Sequence, residues 1–334
     1  GYLALSQDNM TSSDQFISAF SWIKNRDATD SHLLADRVRG VNRYVHSNNT
    51  VVEETETDTF QQFLAGGIQI GSDDRLNTAN ESFVLWNWMM ETTGSGTSNT
   101  AGTVNTTRTL VDTTLGLSVS LVPVPASGDF TIGHGLGAIP KFIIVKGLEA
   151  ADNWVIHARA TMSDTTDYIL FTTAAQVNGG SNVFGASLPT STVLGLSAGS
   201  TAAASKDAIV YAFADSQFIV TGSFEGNANN DGPFIPTVNS LGIPIQPTWM
   251  LIKNIDATSA WGIFDTSRSP INQGNKNIYP NYNNAEDTGN GFDIVTGGFK
   301  NRLSSAFSNA SNTFIYMAIG TPIIDTDGRI IAGR

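Results

Sequence analysis

The chain contains no cysteine, which excludes disulfide scaffolds, thiolate zinc sites, iron–sulfur ligation and cysteine nucleophiles together. Charge is scarce: 14% of the 334 residues are Asp, Glu, Lys or Arg, against roughly 25% in an ordinary soluble domain. Positive charge is the scarcer sign. With 18 Lys and Arg against 30 Asp and Glu, the net charge is -12, which repels phosphate backbones and anionic lipid, so no nucleic-acid partner is expected. Long apolar runs are also missing. Phe142–Val145 and Phe314–Ile319 fall far short of the roughly 18 residues of a membrane helix, and no membrane insertion is expected. What fills the composition is Ser, Thr, Asn, Gly and Ala, with β-branched and aromatic residues in short bounded runs. At 40% hydrophobic and 9% aromatic the chain has too much apolar content for disorder, and the pattern predicts an all-β protein.

An internal repeat organises those runs. Phe20-Ser-Trp22-Ile-Lys24-Asn-Arg-Asp27 returns as Phe142-Ile-Ile-Val-Lys146-Gly-Leu-Glu149 and as Trp249-Met-Leu-Ile-Lys253-Asn-Ile-Asp256. Eight residues after each Lys stand His32, Trp154 and Trp261. At position twelve stand Asp36, Ala158 and Asp265, and at fifteen the first and third copies share Arg39 and Arg268. Each copy then has an aromatic strand (Arg43-Tyr44-Val45, Asp167 to Phe171, Asn277-Ile278-Tyr279) and a closing strand at Phe83, Ile209 or Phe314. The Lys anchors are 122 and 107 residues apart, which is domain-sized rather than solenoid spacing. The chain therefore divides into three related β-sandwich or barrel-like modules in series: Gly1–Met90 with a partial lead-in strand, Leu115–Ser216, and Gln217–Pro322. A polar flexible linker is expected over 91–114 and a C-terminal tail over 323–334. Each module is expected to bury its own core.

Strand alternation puts Phe20, Trp22 and Lys24 on one face. The acid three residues past each Lys predicts a tight turn closed by a surface charge pair. The Trp that opens the returning strand has the bulk to fill a core; the competing placement is an exposed platform, which makes Trp154 and Trp261 candidate ligand-binding residues.

Catalytic and metal signals are weak. Gly195-Leu-Ser197-Ala-Gly199 matches a hydrolase elbow, but all four histidines (His32, His46, His134, His157) precede Ser197, whereas that architecture places its histidine after the serine. Asn227-x-Asn229-x-Asp231-Gly232 imitates the start of a calcium loop, yet Val238 stands where the bidentate Glu belongs. His134 has no second ligand nearby in sequence. The expectation is no catalytic residue, no metal site, no cofactor and no enzyme. Loops rich in Asn, Asp, Thr and Gly interleaved with Trp and Tyr suit glycan or protein recognition, so Asn227, Asn229 and Asp231 join the candidate ligand-binding residues.

Thr131-Ile-Gly133-His134-Gly135-Leu136-Gly137-Ala-Ile-Pro140-Lys141, with Ala151-Asp152-Asn153-Trp154 following, resembles repeat-bearing virion proteins of tailed, often marine, bacteriophages. Gly226 to Phe234 and Trp249 to Arg268 fit the same pattern, and the first unit departs from it at His32. The resemblance implies β-sandwich or barrel-like modules in a tail fibre of a virion and a homotrimer contacting other virion proteins. The function it implies is host-cell attachment through a receptor or surface glycan. The alternative is an architectural subunit of a head decoration, appendage or filament.

Overall fold

The computed structural model describes residues 16–91, 94–289, 291–305 and 307–323. Among the described residues the fold is all-β, apart from a four-residue helix at Asp74–Asn77. Each repeat is built on the same antiparallel trio, with the Lys strand in the middle. In the first unit Ile17–Asn25 lies between Leu33–Asp36 and Phe83–Met90. In the second, Phe142–Gly147 lies between Val155–Ala158 and Asp207–Phe213, and in the third Ile245–Asn254 lies between Trp261–Asp265 and Thr313–Pro322. Lead-in strands Leu117–Pro123 and Ile219–Glu225 flank the closing strands of units two and three. The partial lead-in expected for the first unit falls largely on residues 1–15, and most of the expected tail falls on 324–334, both outside the described residues.

Period-two alternation decides which core each side chain joins. Phe20 and Trp22, Phe142 and Ile144, and Trp249 and Leu251 all enter one central cluster fed by the three units. Their neighbours on the opposite face stay local: Ile23 joins a cluster of unit one, Ile143 and Val145 a cluster of unit two, and Met250 and Ile252 a cluster of unit three. The expectation of separate cores is therefore only half met. Each sheet is apolar on both faces, and the inner face can leave water only by packing against the other two units.

The flexible linker also needs correction. Arg108–Asp112 is a strand paired with Leu117–Pro123, Thr97 bridges Thr109, and Val104 N–H donates to Thr131 O at 3.0 Å. Its glycines serve close approach rather than freedom: a Cβ on Gly102 would lie 2.3 Å from Thr131 O.

Candidate functional site

The repeat register aligns Val45, Ile169 and Ile278, each bridged to its unit's returning strand, and so aligns the next residues His46, Leu170 and Tyr279. Across every seam between units, a buried ring nitrogen at position eight donates to one of those carbonyls. Trp154 Nε1 donates to His46 O at 2.6 Å, Trp261 Nε1 to Leu170 O at 2.9 Å, and His32 Nε2 to Tyr279 O at 3.0 Å. The direction runs from unit two to one, three to two and one to three, so the repeats close into a ring. The main chain crosses the same three seams in the opposite direction: the N–H groups of Glu53, Gln176 and Glu286 donate to Leu148 O, Ile255 O and Arg26 O, each at 2.8 Å.

His32 replaces the Trp of the other units and keeps its task. Its Nδ1 accepts from Trp22 Nε1 at 2.8 Å, which leaves Nε2 as the protonated nitrogen facing Tyr279 O. Burial pushes its pKa down to about 3, so it stays neutral. Trp154 and Trp261 are 2% and 0% exposed. At that burial neither ring is an exposed platform: both are seam residues, and Trp154 also lines the cavity described below.

Two seams carry a charged cluster and the third does not. Arg39 pairs with Asp36 at 2.6 Å and Glu53 at 3.3 Å, and Arg268 with Asp265 at 2.6 Å and Glu286 at 3.1 Å. A closing strand of the neighbouring unit adds a donor to each: Tyr211 Oη to Asp36 at 2.8 Å, and Trp86 Nε1 to Asp265 at 3.0 Å. The equivalent positions of the remaining seam hold Ala158, Thr161, Gln176 and Met317, where Thr161 Oγ1 donates to Gln176 Oε1 at 2.8 Å. The equivalent positions are uncharged as a set, so none of them holds a buried ion without a partner.

The lysines differ from expectation. All three are fully buried, and none pairs with the acid three residues on among the described residues. Their ammonium groups donate to carbonyls instead: Lys146 to Asp152 O and Thr50 O, Lys253 to Ser259 O and Thr173 O, Lys24 to Asn25 O and Ala28 O. Lys146 and Lys253 thereby reach across a seam. The acids hold the start of each closing strand, with Asp27 accepting from Ser82 N–H, Glu149 from Asp207 N–H and Asp256 from Thr313 N–H.

Burial lowers each of these lysines to about 8. Their folded values lie below the ordinary 10.5, so between the two the unfolded chain binds more protons and stability rises with pH. Tyrosines act in the opposite sense: burial raises Tyr44, Tyr211 and Tyr316 above 10.0, Tyr316 to about 12, so stability falls once unfolded phenols ionise. Thermal melts from neutral pH upward are expected to show a rise above pH 8 and a fall above pH 10; a steady decline from pH 8 would refute the lysine assignment.

One end of the ring axis is open. A cavity of about 270 Å³ is lined by residues of all three units: Asn48, Asn49 and Thr50 from the first, Asn153, Trp154, Phe171, Thr172 and Thr173 from the second, Asn281 and Tyr282 from the third. Phe171 marks the floor, with ring centroids of Trp22, Trp154 and Trp261 at 6.1, 5.9 and 4.9 Å. Asn48, Thr172 and Asn281 share one repeat position. Asn48 Oδ1 accepts from His32 N–H at 3.0 Å and Asn281 Oδ1 from Trp261 N–H at 2.9 Å, so the seam residues fix the cavity wall. Asn281 is 7% exposed, and its Nδ2 has no acceptor among the described residues.

The chain matches, over residues 2–321, the family described as Domain of unknown function (DUF7483). It belongs to that family. No curated protein and no solved structure matches it.

The other sequence candidates lie apart from this cavity. Asn227, Asn229 and Asp231 form an exposed loop whose polar groups engage one another: Asn229 N–H donates to Asn227 Oδ1, Asp231 N–H to Asn229 Oδ1, and Lys300 pairs with Asp231 at 2.7 Å. His134 shapes a turn, accepting from Leu136 N–H and bonding Thr190 O. Ser197 sits in a strand pair with Asp129, its N–H bonded to Thr201 Oγ1. Glu56, Asp58 and Asp73 cluster closely enough for a cation, but Arg75 already bridges Glu56 and Asp73. The cavity itself was missed. Its signal was the polar pair just past each aromatic strand (Asn48-Asn49, Thr172-Thr173, Asn281-Tyr282), which becomes visible only once the aromatic strands are put in register.

Proposed function

We propose that this chain is a bacteriophage virion protein, a tail-fibre component that acts in host-cell attachment by binding a surface receptor or glycan. The axial cavity carries the reading: it is walled by amide and hydroxyl side chains over an aromatic floor, and ligand sites commonly combine such surfaces. The resemblance at Thr131–Lys141 and Ala151–Trp154 supports the virion assignment by analogy. The reading includes no catalysis and no cofactor. It includes contacts with other virion proteins and self-association into a homotrimer, for which light scattering should give three times 35.5 kDa.

Antibody labelling of intact particles, viewed by electron microscopy, tests the proposal. Label at the distal end of a tail appendage is the expected result. Label over the head or along a continuous tube would overturn attachment in favour of a decoration or filament subunit.

A further inference from the structure

We propose that the axial cavity binds the end of a neutral saccharide, an assignment that rests on the attachment reading and gives it a site and a ligand class. The walls are Asn48, Asn49, Asn153, Asn281, Thr172 and Thr173, six side chains that are all uncharged. An amide offers both donors and an acceptor, and a hydroxyl offers the same in one group, which is the complement of vicinal sugar hydroxyls. Asn281 Nδ2 is held in place with its acceptor position vacant among the described residues, since Oδ1 is fixed by Trp261 N–H. That nitrogen has almost no accessible surface, so Asn281 fixes the shape of the wall, and the accessible amides and hydroxyls of Asn48, Asn49, Asn153, Thr172 and Thr173 are the groups that meet the ligand. Tyr282 is 39% exposed at the cavity, a ring available for the apolar face of a pyranose.

Charge argues for a neutral ligand. The nearest cations, Lys146 and Lys253, are buried behind the lining and hold the carbonyls of Thr50 and Thr173. The whole chain carries -12, which repels an approaching carboxylate or sulfate. A volume of about 270 Å³ is below the usual range for drug-sized ligands and fits a mono- or disaccharide terminus.

The test titrates the full chain with lactose, maltotriose and chitotriose, and in parallel with sialyllactose and a sulfated disaccharide, followed by calorimetry and ligand-observed NMR. Tyr282→Ala and Asn153→Ala are the variants, because both side chains are exposed and no side-chain hydrogen bond of either is seen among the described residues. A neutral sugar should bind, and each variant should weaken it about tenfold with the melting temperature unchanged. Binding of the anionic sugars alone, binding that survives both substitutions, or no binding of any saccharide would each overturn the assignment. The two proposals fail separately. Distal label on particles without saccharide binding overturns the ligand class alone, whereas head label with saccharide binding overturns attachment alone.

Discussion

Replacing Arg268 with methionine is expected to destabilise the chain by about 3–5 kcal/mol, the usual cost of leaving a buried charge without its partner. Arg268 is 5% exposed and serves Asp265, Glu286 and Ile263 O, while its guanidinium lies 5.4 Å from the Trp86 ring. Its loss leaves Asp265, itself 3% exposed, with Trp86 Nε1 and the main-chain N–H of residue 268 as its remaining donors among the described residues. The protein contains its own control. Asp265→Ala, Arg268→Thr and Glu286→Gln together remove the charges, as in the seam of Ala158, Thr161 and Gln176, at the cost of the acceptor of Trp86 Nε1 and the partner of Arg26, and this triple variant is still expected to be more stable than Arg268→Met alone. Urea unfolding of the single and combined variants checks it. Strict additivity of the three single effects would mean that the charges do not act as a unit.

Phe171→Ala is expected to cost a similar amount, about 3–5 kcal/mol, through lost burial and the cavity left behind. The site cannot readily collapse, because its neighbours Trp22, Trp154 and Trp261 are each held by an indole hydrogen bond. The loss should appear as a lower denaturant midpoint. Sugar affinity should fall too, as the floor deepens into the core. A variant that unfolds at the wild-type midpoint would show that the three units do not depend on their common core.

The sequence made the strands and the repeat legible because alternation and spacing are local properties. The partition of faces was half legible: Phe20, Trp22 and Lys24 were placed together, yet nothing in one repeat says that its inner face meets two other repeats rather than its own second sheet. Lys24, Lys146 and Lys253 were misread for a related reason. A lysine beside an acid looks like a surface pair, and the carbonyls that satisfy it lie in the turn after it or, as with Thr50 O and Thr173 O, in a neighbouring unit. Trp154 and Trp261 show the same limit, since a large ring suits both a core and a platform until its indole finds a partner 108 or 91 residues away. His32 looked like a departure and proved an equivalent donor, which only the partner carbonyl of Tyr279 reveals.

The axial positions of the three repeats are Ser47, Phe171 and Pro280, and Ser47 Oγ donates to Pro280 O at 2.6 Å. Three separate copies of one gene product would have to place the same side chain there three times: three phenylalanines would collide, and three serines would leave a void. Fusion of the repeats into one reading frame lifts that constraint, since each third can mutate by itself and the linked neighbours arrive at fixed local concentration. One wall of the axial chamber can then drift while the other two are kept, so a lineage can retune what it holds in single inherited steps without disturbing how the ring closes.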